Sequence, residues 1–235
     1  MPPAVRSAAE MVLHPRAGAP TGFLPAGFLL TGFLLLGLAA PVRAEETDLR
    51  EFRIGMPVAA LPASGYVDLA CAARPETRLA AWSEYRTCPA EPETGLHEVS
   101  FRYDETTPLA RSSERFAGTK VAGQPMLLSL LIGDDGRLDG LRMRTDPAAK
   151  LFERRKAFLF GDQVKARYGE EGWACRSLPP GDEEAPVGGI FIKEHCDKQT
   201  ADRQYRLERW LYRHEGEELR KFSGGSIVTI LRRNG

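Results

Sequence analysis

Met126-Leu127-Leu128-Ser129-Leu130-Leu131-Ile132, then Gly133-Asp134-Asp135-Gly136, then Arg137-Leu138-Asp139-Gly140-Leu141-Arg142-Met143-Arg144 is the run on which the fold class turns. Two strand-length segments flank a four-residue link whose Asp-Gly step provides the backbone a tight hairpin needs. On the return segment Leu141 and Met143 alternate with Arg142 and Arg144. A period of two fits a sheet with one buried and one wet face. The acids of the link suggest a calcium loop, but their spacing is wrong for one, and the hairpin turn is the reading adopted.

Working outward, Tyr66–Cys71 and His97–Tyr103 read as strands, with a loop carrying Trp82, Tyr85 and Cys88 between them. Downstream, Asp146-Pro147 supplies an N-cap and a first-turn proline. Lys150–Tyr168 then has helical spacing, with Phe152, Leu159 and Gln163 on one stripe and Phe160 and Val164 on another, and Gly169 is a natural stop. Trp173–Arg176, Ile190–Glu194, Gln204–Arg213 and Ser226–Leu231 read as further strands. The prediction is an α+β chain, mainly antiparallel sheet with one or few helices.

The chain has 235 residues, with 32 basic and 32 acidic side chains and 43% hydrophobic content. That balance excludes a disordered polyelectrolyte and a multi-span membrane protein, and it lacks the basic excess of a nucleic-acid binder. Between Ala17 and Val42 there is no charge, and Gly27–Ala40 is apolar. Arg6 and Arg16 precede this stretch and Pro41-Val42-Arg43-Ala44 follows it, the order of parts in a secretory signal peptide cleaved after Ala44. Either Met1 or Met11 serves as its start. An uncleaved single-span anchor is the alternative, weakened by the prolines and glycines within the stretch. The expected organisation is a signal over 1–44, a first unit over 45–145 and a second over 146–235. The expected location is the periplasm or the outside of the cell, with no membrane span after cleavage.

All four cysteines, Cys71, Cys88, Cys175 and Cys196, follow the signal. An even number in an exported chain implies disulfides, and the shortest loops pair Cys71 with Cys88 and Cys175 with Cys196. Each bridge would stabilise by about 3 kcal/mol on a loop-entropy argument. Bound zinc is the competing reading, given His195 beside Cys196, but there is no C-x-x-C pair. With one bridge in each, the units share an order of elements that admits a diverged tandem repeat. Unrelated halves that happen to carry similar cysteine pairs are the other reading.

The segment Phe52-Arg53-Ile54-Gly55-Met56-Pro57-Val58-Ala59-Ala60-Leu61 resembles the opening of exported SmpA/BamE-like modules. Tandem disulfide-bonded copies of such a module resemble the beta-lactamase-inhibitor-protein architecture. The resemblance implies binding to other proteins, as envelope accessory or inhibitor. It covers about ten residues plus the order of elements; Pro57 and Pro62 depart from a clean opening helix, and no functional residue carries over.

Motifs for catalysis are missing from the sequence: there is no G-x-S-x-G elbow, H-E-x-x-H, phosphate loop or dinucleotide fingerprint. His97, His195 and His214 remain after the signal, and His195 and Cys196, adjacent on a strand, point to opposite faces. No cofactor or metal is implied. The distinctive surface is in Gln204–Arg213, where Arg206 and Trp210 share a strand face with Glu208 between them and Tyr212 following. Arg, Trp and Tyr are the residues enriched at protein-binding hot spots; a merely solvated sheet face is the plainer alternative. The sequence therefore points to a non-enzymatic exported module that binds another exported or envelope protein. A hydrolase with a scattered site and a carrier of a small apolar ligand are the alternatives.

Overall fold

A computed structural model describes residues 47–104, 119–218 and 220–233; the signal-peptide stretch lies outside these residues. The strands in chain order are β1 (Tyr66–Cys71), β2 (Arg74–Arg78), β3 (His97–Tyr103), β4 (Lys120–Val121), β5 (Gln124–Ile132) and β6 (Leu138–Thr145). Helices α1 (Leu151–Lys156) and α2 (Phe160–Tyr168) follow, joined through a 3-10 turn at Ala157–Leu159. The chain continues as β7 (Ala174–Ser177), β8 (Glu184–Ala185), β9 (Ile192–Gln199), β10 (Arg203–His214) and β11 (Phe222–Arg232). Among the described residues the fold is thus predominantly antiparallel sheet with one helical segment.

The sheet runs β2-β1-β3-β5-β6-β11-β10-β9-β7, with each strand antiparallel to its neighbours. Counted outward from the β6–β11 seam, β6, β5, β3 and β1 descend in chain order on one side and β11, β10, β9 and β7 on the other, with the short β4 and β8 off this path. β2 lies outside β1 and has no counterpart on the other side. Residues up to Thr145 build one side of the sheet and residues from Ala174 the other, so both halves share one surface.

Register explains the layering. Phe101, Leu128, Met143, Val228, Leu207 and Cys196 stand opposite one another on successive strands. All six are at most 2% exposed. Each large apolar side chain in such a row stabilises by roughly 1.5–3 kcal/mol relative to exposure. Over the first half this face is covered by Phe52, Ile54 and Leu61 and by the 3-10 turn Trp82–Thr87. Phe52, Tyr66, Trp82, Phe101 and Tyr103 form a ring cluster with centroids 4.9 to 6.2 Å apart. Over the second half the cover is the helical segment, through Ala157, Phe160 and Val164. Of the two stripes foreseen on this helix only Phe160 and Val164 turn inward; Phe152 and Leu159 stay exposed at 55% and 42%.

The helix start differs from the sequence reading. Asp146 accepts the Ala148 N–H at 2.8 Å and shapes a turn before the helix. The cap falls at Lys150, whose N–H donates to Glu153 Oε2 at 3.1 Å. Helix-to-sheet approach is set by Gly224, where a Cβ would come within 2.7 Å of the Arg154 carbonyl oxygen. Ser226, fully buried, donates through Oγ to the Ala157 carbonyl at 2.8 Å and so satisfies the helical turn from the sheet side.

Both disulfides pair as the short loops predict, Cys71 with Cys88 and Cys175 with Cys196. The first joins β1 to the loop before β3. The second is a cross-strand bridge between directly opposed residues of β7 and β9. No helix among the described residues is long and apolar enough to cross a membrane.

Candidate functional site

On β10 the odd residues face the helix, as Leu207 and Arg209 against Gly161 show. Pleating sends Arg206, Glu208, Trp210 and Tyr212 to the opposite face. The structure therefore brings the three sequence-predicted residues, Arg206, Trp210 and Tyr212, onto one surface. Thr229, Arg142 and Ser129 continue the transverse row from Arg206, and Ile227 and Arg144 continue that from Glu208.

Each of the three is held differently. The Arg206 side chain is 49% exposed, with Asp197 Oδ1 and Glu93 Oε2 each at 3.8 Å, and at that exposure these pairs contribute little to stability. Trp210 lies across Gly225, where a Cβ would meet the indole at 2.5 Å, and its Nε1 donates to Ser223 Oγ at 2.8 Å. Only a glycine opposite Trp210 lets the ring lie flat on the strand. The Tyr212 ring sits 6.2 Å from Phe191 and 5.9 Å from His214, with Lys193 Nζ 5.6 Å from its centroid.

Sequence reasoning missed how residues 89–96 reach this face. Glu91 Oε1 and Glu98 Oε2 receive hydrogen bonds from Arg142 Nη1 at 2.8 and 2.6 Å, and Arg142 Nε donates to Thr229 Oγ1 at 3.3 Å. Burial opposes the charged form of Glu91, but the hydrogen bonds from Arg142 and Thr94 outweigh it and hold the carboxyl below its ordinary range. An acidic segment from the first half thereby crosses the seam, with Glu91 on Arg142 of β6 and Glu93 near Arg206 of β10. A cleft of about 300 Å³ at this crossing is lined by Glu93, Thr94, Gln204, Arg206 and Arg232 among others. The adjacency of acids and prolines in 89–96 carries no sign of where the segment lands.

The histidines occupy separate settings. His97 is buried, its Nδ1 2.6 Å from the Cys88 carbonyl oxygen and its Nε2 3.0 Å from Asp134 Oδ1. It ties the first disulfide loop to the hairpin turn. His195 lies 3.8 Å from Glu208, and His214 stands beside Tyr212. Burial lifts the Asp139 carboxyl above its ordinary range, against the pull of Arg232 at 2.9 Å.

On the helix side a second cleft, about 340 Å³, is lined by Phe158, Asp162, Ser177, Glu194 and Arg209 among others. Arg209 spans it, donating to Glu194 at 2.7 Å and Asp162 at 2.8 Å. At its rim Cys175, Cys196 and Glu194 form the one group among the described residues with metal-ligand proximity. Their sulfurs are joined in the disulfide, so neither is a thiolate ligand.

Comparison with protein-family models, with curated proteins and with solved structures returns no match.

Proposed function

We propose that this chain is an exported protein-binding module, acting in the periplasm or outside the cell, whose Arg206–Trp210–Tyr212 sheet face takes another exported or envelope protein. The observation that carries the reading is the β10 surface. Arg206, Trp210 and Tyr212 share one face, and Trp210 is fixed by Gly225 and Ser223 before any partner arrives. An aromatic ring held in place loses little freedom on binding, and aromatic and arginine side chains are the usual energetic anchors. Two disulfides suit an oxidising compartment. The descending order of β6, β5, β3, β1 and of β11, β10, β9, β7 from the seam supports the tandem-unit reading of 45–145 and 146–235. The mixed lining of the helix-side cleft and the mainly polar lining of the other favour neither an apolar-ligand carrier nor a particular hydrolytic chemistry.

The test is affinity capture from the native envelope or secreted fraction with oxidised protein lacking residues 1–44. Arg206→Glu and Tyr212→Ala, each preserving the thermal unfolding midpoint, should lower capture of one stoichiometric partner about tenfold or more, as for anchors worth above ~1.4 kcal/mol. Unchanged capture in both variants removes the site. A partner-free sample carrying a copurified small molecule returns the carrier reading.

A further inference from the structure

The two disulfides occupy opposite environments. Cys71 and Cys88 are 0% and 1% exposed and belong to the apolar core. Cys175, by contrast, is exposed on β7, which is bonded to the sheet only through β9 and forms its outer edge. Its partner Cys196 is fully buried. Thiol–disulfide exchange needs a nucleophile to reach one sulfur along the S–S axis, and only the second bridge offers such a sulfur.

The side chains around that bridge match what the opened pair would require. Lys165, on α2, places Nζ 3.3 Å from Cys175 Sγ. A neighbouring ammonium favours a thiolate over a thiol. Glu194 Oε2 lies 3.3 Å from Cys196 Sγ, where a thiol proton would point. Glu194 is itself held by Arg209 at 2.7 Å and faces Lys165 at 3.8 Å. In the disulfide neither sulfur has a proton to give, so this cation and this acceptor gain their full value only in the dithiol.

The structure assigns Cys175–Cys196 as a thiol–disulfide exchange site, opened by an external dithiol while Cys71–Cys88 and the rest of the sheet stay intact. A thiolate of the reagent attacks Cys175 Sγ, a mixed disulfide forms, and the Cys175–Cys196 bond breaks. Cys196 leaves with the electron pair and takes the proton that the attacking thiol gave up, donating it toward Glu194. The second thiol of the reagent then resolves the mixed disulfide and releases Cys175 as a thiolate beside Lys165. Two electrons and one proton pass from the reagent to the pair and its second proton goes to solvent, leaving the reagent as its own disulfide. What opens is the attachment of an edge strand that four residue pairs otherwise hold to β9.

Dithiothreitol titration of the native protein, with acid quench, thiol alkylation and peptide mapping, tests the assignment. Alkylated Cys175 and Cys196 should appear at reductant concentrations where Cys71 and Cys88 are still linked, with thermal unfolding still cooperative. Simultaneous opening of both bridges, earlier opening of Cys71–Cys88, or loss of the fold on opening would overturn it. Lys165→Met should lower the opened fraction at a fixed reductant ratio by roughly threefold to tenfold, and Lys165→Arg should restore it. Equal opening in Lys165→Met and the native chain would also overturn the assignment.

Discussion

Asp48 and Arg203, 155 residues apart, meet in a two-pronged ion pair: Arg203 Nε to Asp48 Oδ1 at 3.0 Å and Nη2 to Oδ2 at 3.2 Å. Asp48 is 8% exposed and also accepts the Ile54 N–H at 2.7 Å, while its carbonyl receives the Tyr168 hydroxyl at 2.6 Å. The stretch that carries Phe52 and Ile54 into the core is thus fastened to β10 and α2 of the other half. Burial opposes the Arg203 charge, but Asp48 more than offsets it and holds the guanidinium above its ordinary proton affinity.

Removing the acid leaves that guanidinium, a largely buried group, with only the exposed Asp202 carboxylate, 3.0 Å from Nη1, as its charged partner. Asp48→Ala should cost about 3 kcal/mol of unfolding free energy, the usual scale for breaking one side of a buried pair. Urea unfolding by tryptophan fluorescence measures it. An Asp48→Ala, Arg203→Met double variant should recover part of the loss, and a strictly additive cost would show that the two groups act independently.

Alkali should act through the ring cluster. Burial pushes the Tyr103 phenol up to about 12, and Tyr66 is driven higher still, chiefly by burial. An unfolded tyrosine ionises near pH 10, so the folded state binds these protons more tightly. The stabilisation is complete below about pH 10 and is lost as pH climbs through the folded values. Urea midpoints between pH 9 and 12 should fall for the native chain and fall less for Tyr103→Phe, relative to each protein's own midpoint at pH 8. Identical slopes would contradict the burial argument.

Gly224 should tolerate no side chain. The Arg154 carbonyl that a Cβ would meet is helix backbone and yields little. Gly224→Ala should therefore destabilise by about 2 kcal/mol, as overpacking does, by lifting α1 from β11. Thermal unfolding checks the loss, and hydrogen exchange along Leu151–Lys156 checks that its source is the helix. Protection there equal to that of the native chain would place the strain elsewhere.

Alternation was a dependable guide where a strand buries one face: Arg142 and Met143 divide as read, and β3 is buried at every second residue. β1 falls on the expected residues without it, being buried only at Ala70 and Cys71. Both bridges followed from loop length. Strand β2 escaped because Arg74-Pro75-Glu76-Thr77-Arg78 is an edge segment with no buried residue, so no apolar period marks it. Asp146 misled because an aspartate before a proline caps a turn as readily as a helix. The Asp48–Arg203 pair, the landing of Glu91 on Arg142, and the Lys165–Cys175 contact join residues that only the completed sheet brings together. Local pattern carries no trace of them.

The seam has a kinetic meaning as well. Thr145 and Ser226, bonded across it, are 81 residues apart. During synthesis β6 is finished long before its neighbour β11 exists, so the first half-sheet presents an unpaired edge beside its apolar rows. Pairings of such separation are slow to form, and open edges invite other chains. A chain halted between Thr145 and Phe222 should therefore be the species that holding chaperones engage, and release of the final strand marks the moment at which their grip is no longer needed.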